Sequence, residues 1–190
     1  FRVDPAGRLF LTDLHTGKEY QDLITFRDEA DIGHTYNFFP APDPAEINIP
    51  AVSRIEVEHK PDCVEVCYRF SLPRDYDFAR KRRSAETEEN RLTVRYSLKR
   101  HATRLTVEIE AENRSAAHRL RALFRTGSDT GTSVASVPFG FETRKRDGSP
   151  RGNPNSGIVK VDDLAVFNGH ICRKRGAAGT VNDLSLIHIS

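Results

Sequence analysis

The sequence predicts an all-β chain, an antiparallel β-sandwich, on three observations. Apolar residues recur at every second position in several segments, turn-forming residues separate those segments, and no stretch carries a helical stripe. Val64, Val66, Tyr68, Phe70 and Leu72 alternate with Glu65, Cys67, Arg69 and Ser71. Successive side chains of a strand point to opposite faces, so one face of such a segment suits a core and the other water. Sheets with one wet face favour a sandwich over a closed barrel.

The elements follow in order. Gly7 to Leu14 alternates and meets the turn His15-Thr16-Gly17-Lys18, which predicts a hairpin continuing through Glu19 and Tyr20. After the Val64–Leu72 strand, Leu92, Val94, Tyr96 and Leu98 form a second apolar face, and Leu105, Val107, Ile109 and Ala111 a third. The short link Arg100-His101-Ala102-Thr103 joins the last two, so they are expected to pair antiparallel. A strand is predicted from His118 to Thr126, then a small-residue loop, then Val134 to Lys145, which contains Phe139, Gly140 and Phe141 and leads to the turn Asp147-Gly148-Ser149-Pro150. The last strand candidate runs from Ile158 to Val161 and resumes at Leu164 to Phe167. Val66, Val94, Val107 and Phe124 are expected to share one core.

Composition excludes several functions. The 190 residues carry 29 basic and 27 acidic side chains, a formal net charge of +2, so no electrostatic case exists for a nucleic-acid partner. No apolar run approaches the length of a membrane-spanning helix. The chain begins on Phe1 and contains no Met, as an internal piece of a longer protein would. Cys63 and Cys67 share a strand face too far apart for a disulfide, Cys172 stands alone, and reduced, packed thiols are expected. The seven histidines include no pair at metal-ligand spacing, so no metal site can be assembled from these residues. The basic run Arg80-Lys81-Arg82-Arg83 is flanked by Asp75, Asp77, Glu86, Glu88 and Glu89, which marks a solvated loop and not a phosphate-binding patch. Arg173-Lys174-Arg175 reads the same way.

The stretch Phe26 to Pro40 is the most informative. It sets acids, a glycine, a tyrosine and an asparagine just ahead of aromatics and a proline, and a connection this long and mixed points to function. Asp28, Glu29 and Asp31 are expected to accept hydrogen bonds from loop backbone N–H groups. His34 is expected in an exposed turn, and His118 to orient the polar edge of its strand. Tyr36 is the chief candidate for substrate contact, because its ring and hydroxyl suit a sugar's alternating C–H and O–H surface. Asn37 is placed to assist it.

The order Asp-x-Gly-x-x-Tyr-Asn-Phe-x-Pro at Asp31–Pro40 resembles a loop near the start of the C-terminal β domain of glycoside hydrolase family 38, the zinc-dependent α-mannosidases, especially bacterial mannosylglycerate-hydrolase-like members. Asn113 to Gly127 is a second match and Phe139-Gly140-Phe141-Glu142-Thr143-Arg144 a third. The resemblance implies a β-sandwich of galactose-mutarotase-like (supersandwich) type, cut from an enzyme whose catalytic barrel holds the zinc and an aspartate nucleophile, followed by a helical bundle. It further implies a mannoside or mannosylglycerate-type carbohydrate as substrate, a bacterial cytoplasmic setting, and a tyrosine at position 36 reaching the sugar. Arg144 is a further sugar-site candidate, since a strand-end loop bearing basic residues approaches that site in the family. The chain alone is expected to be inactive and to bind no zinc.

Two departures stand out. The family's Asp-His ahead of the arginine-leucine-arginine segment is Ala117-His118 here, and the match decays after Asp162. Residues 1–167 are accordingly read as the sandwich domain and 168–190 as a degenerate tail, of which 184–190 resembles translated adapter sequence. The rival reading is a stand-alone carbohydrate-binding sandwich. The absence of Trp, with most aromatics at alternating core positions, argues against the exposed aromatic platform such a module would present.

Overall fold

The computed structural model describes residues 1–33, 39–42, 46–102, 104–125, 132–137, 140–145 and 164–167. At the N-terminus β1 (Arg2–Val3), β2 (Leu9–Thr12) and β3 (Glu19–Tyr20) form a small antiparallel sheet. The predicted hairpin is there, with β1 added on its outer edge. β4 (Ile24–Ala30) and β5 (Ile47–Asn48) follow, then the four-residue helix α1 (Ile49–Val52), whose first turn holds Pro50 where no intrahelical N–H is needed. The middle of the chain gives β6 (Arg54–His59), β7 (Val64–Pro73), β8 (Tyr76–Asp77), β9 (Arg82–Arg83), β10 (Thr87–Ser97) and β11 (Thr106–Glu112). Beyond them lie β12 (His118–Arg125), β13 (Thr132–Val137), β14 (Gly140–Lys145) and β15 (Leu164–Phe167).

Two four-stranded antiparallel sheets enclose the core. One has the order β11-β10-β7-β6 and the other β15-β12-β4-β5. The alternating apolar rows meet between them. Val66, Tyr68, Phe70, Leu72, Leu92, Val94, Tyr96 and Val107 come from the first sheet, and Ile24, Phe26, Leu120 and Phe124 from the second, all buried in one cluster. Phe26 and Tyr68 stack edge to face across the gap, with ring centroids 5.6 Å apart. Burying each such side chain contributes about 1.5–3 kcal/mol. The fold is therefore the all-β antiparallel sandwich that the alternation predicts, and Val66, Val94, Val107 and Phe124 do share its core.

Two local readings are corrected and one segment is defined. Phe26 to Ala30, taken as the start of a long loop, is the end of β4, paired with β12 from Phe26↔Ala122 to Ala30↔His118. The alternation there is masked because polar Asp28 occupies an inward position. Val134 to Lys145 resolves into a hairpin, β13 pairing with β14 with Val137 opposite Gly140, and Phe141 is exposed. Leu98 lies past the end of β10 and is partly exposed.

The N-terminal sheet is tied to the sandwich through Val3 and Leu9, buried in the shared core, through the Leu23 N–H to Leu9 carbonyl bond, and through a latch at Gly7. Gly7 turns the chain with φ of +74°, and the Tyr68 hydroxyl donates to its carbonyl at 3.0 Å. A Cβ at position 7 would lie 2.6 Å from that hydroxyl oxygen, so glycine is required by contact as well as by backbone conformation. Burial pushes the Tyr68 hydroxyl well above its ordinary value, which keeps it protonated as the donor.

Candidate functional site

The loop that carries Tyr36 leaves the sandwich through a closed neck. Asp31 and Pro40 form an antiparallel bridge, and the Ile32 N–H donates to the Phe39 carbonyl at 2.9 Å. The Asp31 carboxylate accepts from the N–H groups of Gly33 and Phe39 at 2.9 and 3.1 Å. Its own N–H donates to the Ala117 carbonyl at 3.0 Å, tying the neck to the entry of β12. Asp31 therefore does what the sequence suggests for the loop acids. Tyr36, Asn37 and His34 lie outside the described residues, and Arg144 lies on β14 opposite Ser133.

Asp28 and Glu29 behave otherwise than expected. Asp28 points inward, fully buried, between His118 and Arg83. His118 Nδ1 contacts Asp28 Oδ1, and Arg83 Nη1 stands 2.6 Å from Asp28 Oδ2. The basic run at positions 80–83 is thus not wholly solvated. Arg80 pairs with Asp77 at the surface, whereas Arg83, on β9, turns in toward the carboxylate. A buried carboxylate demands a countercharge, and β9 supplies it. His118 is likewise a buried side chain and not part of a polar edge.

On the opposite face of the same two strands runs a ladder of charges. Arg119 contacts Glu29, Arg121 Nε lies 3.0 Å from the same carboxylate, and Arg121 Nη2 reaches Glu46 Oε1 at 2.6 Å. Arg27 closes the far end on Glu46 at 2.7 Å. Burial pushes the Glu46 carboxyl up, but the hydrogen bonds and charges of Arg27 and Arg121 outweigh it and leave it below its ordinary value. Burial likewise draws the Arg119 guanidinium down, against the pull of Glu29. The consequence is positional. Glu46 precedes β5, so the ladder pins the returning end of the segment that begins at Asp31.

Apolar groups complete the neck. Ala30, Ala41 and Tyr76 are buried together, with Ile32 and Ala117 against them. Phe78 stacks on Tyr76 at 5.1 Å between centroids and is itself 61% exposed, as Phe39 is 55% exposed. Sequence reading missed Asp28, Arg83, His118 and Arg121 as a set. The missed signal is polar residues at inward positions of strands that otherwise alternate cleanly. Among the described residues no group of three or more His, Cys, Asp or Glu side chains could hold a metal ion, so these residues do not fit a zinc site. The free thiols Cys63 and Cys67 are half-buried. What the arrangement offers chemically is a rigid mount for the loop.

The described residues define an antiparallel all-β sandwich with hydrogen-bonded and ion-paired contacts at Asp31 and Glu46. Comparison with known proteins narrows it. No family model matches the chain. It is 27% identical over 164 residues to the "Putative mannosylglycerate hydrolase" of Halalkalibacterium halodurans, covering 76% of this chain and 18% of that protein. Two solved structures from Enterococcus faecalis share the fold. One, described as a protein in glycosyl hydrolase family 38, gives a TM-score of 0.67 at 26% identity, over 76% of this chain and 19% of that one. The other, described as an alpha-mannosidase, gives 0.68 at 26% identity, over 78% and 19%. The family 38 resemblance thus holds in sequence and in fold. The chain spans about a fifth of each of these relatives.

Proposed function

We propose that this sandwich is the supporting β domain of a retaining, zinc-dependent α-mannosidase or mannosylglycerate-type hydrolase. It acts on a mannoside or mannosylglycerate-type carbohydrate only in the company of a catalytic barrel and a helical domain. The names of the relatives support the glycoside hydrolase reading. The zinc would be held by that catalytic part, where it would polarise the sugar; no step is assigned to the residues described here. Their part is to hold a loop still.

The observation that carries this reading is the double anchorage of the segment from Asp31 to Glu46. Its start is held by the Asp31 hydrogen bonds and its end by the Arg27–Glu46–Arg121 bridge. Exposed Phe39 and Phe78 beside the neck give the adjoining part of the enzyme an apolar surface to cover. In this reading Tyr36 contacts the sugar through ring and hydroxyl, and Asn37 and Arg144 are further contributors to the sugar site.

The test is made on the enzyme extended upstream of Phe1. Tyr36→Phe removes one neutral hydrogen bond and should lower kcat/KM by the equivalent of about 1–2 kcal/mol. Tyr36→Ala should lower it further, with both variants melting near the parent. An unaltered kcat/KM in Tyr36→Ala removes this residue from the sugar site.

A further inference from the structure

We propose that Lys81 and Arg82, at the tip of the β8–β9 hairpin, are a specificity element that pairs with the carboxylate of an acidic substrate. The inference rests on the hydrolase reading above and deepens it, selecting a mannosylglycerate-type sugar over a neutral mannoside. Both side chains are exposed, and among the described residues neither makes an ion pair. A glycerate unit offers such cations a charge to pair with, and a neutral mannoside does not.

Sequence order suggests that neighbouring acids cancel the basic run, and their contacts lie elsewhere. Glu86 and Glu88 pair with Arg74, at 3.2 and 3.6 Å, and Glu89 stands opposite Ser71 in the first four-stranded sheet. Asp77 is the cross-strand partner of Arg82, but both its oxygens are taken by Arg80, one by the N–H at 3.0 Å and one by Nη1 at 2.8 Å. Arg83 turns inward onto Asp28. Two positive charges therefore stand unmatched at the tip. They are too few for a nucleic-acid backbone, which rewards many phosphate contacts at once. Turn geometry does not explain the lysine either, since Lys81 adopts φ of +53°, where glycine is less strained.

The hairpin and the 31–40 loop share one base. Tyr76 is buried with Ala30 and Ala41, which flank that loop on either side, and Arg83 ties the second strand of the hairpin to β4 through Asp28. Phe78, at the start of the turn, stacks on Tyr76 and belongs to the exposed apolar surface that the adjoining part of the enzyme covers in the reading above. That sets the two cations at a domain boundary, where ligand sites preferentially lie. Partial exclusion of water at such a boundary strengthens the attraction between a cation and a carboxylate.

The test uses the enzyme extended upstream of Phe1, with mannosylglycerate as the acidic substrate and an aryl α-mannoside as the neutral one. Lys81→Gly and Arg82→Gln each remove one charge. The double variant should lower the ratio of the two kcat/KM values, acidic over neutral, by about tenfold, chiefly through KM for mannosylglycerate. Added salt should lower that ratio in the parent and change it little in the double variant. Lys81→Gly should meanwhile melt no lower than the parent, so the loss of selectivity cannot be ascribed to a weakened fold. A ratio within about twofold of the parent's in the double variant overturns the inference and leaves the hydrolase reading standing. A parent that cleaves only the neutral mannoside does the same. A parent that cleaves neither overturns that reading and the inference with it.

Discussion

Arg83 and Asp28 meet inside the protein with 2.6 Å between Nη1 and Oδ2, the carboxylate wholly buried and the guanidinium nearly so. The contact joins the short β8–β9 hairpin to the central strand β4. Removing the cation strands a buried negative charge, so Arg83→Met should cost about 3–5 kcal/mol in urea unfolding. The double variant with Asp28→Asn should recover part of that loss. A surface-like cost below about 1 kcal/mol would show that the pair contributes nothing.

Ala117 and Gly7 make a matched pair of backbone tests. Ala117 adopts φ of +50°, a conformation that an L side chain other than Asn or Asp tolerates poorly. Ala117→Gly should raise stability by about 0.5–1 kcal/mol. Gly7→Ala should do the reverse, by more than about 1 kcal/mol, since it adds both a strained φ and a clash with Tyr68. Thermal melts of the two variants check both signs.

Val107 is 1% exposed in the shared core. Val107→Asp must bury a carboxylate without a partner or protonate it, and should cost several kcal/mol, on the order of 3 or more. A loss of less than about 1 kcal/mol in denaturant unfolding would place Val107 outside the core.

Acid should loosen the ladder at Glu46. Because its folded value is lowered below the ordinary 4.5, its contribution is present above that pH and lost as pH falls through the lower, folded value. The Tm of the parent should therefore fall on acidification from about pH 5 downward. Glu46→Gln should start lower and show a shallower acid slope. Equal slopes in the two proteins would assign the acid sensitivity elsewhere.

Alternation made the sandwich legible in the sequence. Where Val66, Val94 or Val107 repeats at period 2, nothing competes with the pattern, and those strands stand where expected. Reading failed at Phe26–Ala30 and Arg80–Arg83 for one physical reason. A buried ion pair needs partners from distant parts of the chain, and local composition makes each half look like surface. Asp28 seemed a loop acid only because Arg83, its ion-pair partner, and His118, which contacts it, are remote in sequence. The closed neck at Asp31–Pro40 was legible as a special segment, through its mixture of acids, glycine and aromatics, but its hydrogen bonding was not.

The pairing of β4 with β12 also sets a timetable. His118 and Asp28 are 90 residues apart, so a ribosome that has finished β4 must add that many more before its partner exists. At ordinary elongation rates this takes on the order of 5–20 s. For that interval Ile24 and Phe26 have no second strand beside them, and long-range pairing of this kind is slow to close even when the chain is complete. The inner edge of β4 thus waits longest for its β12 partner, and its buried acid, costly in any alternative apolar contact, disfavours wrong partners in the meantime.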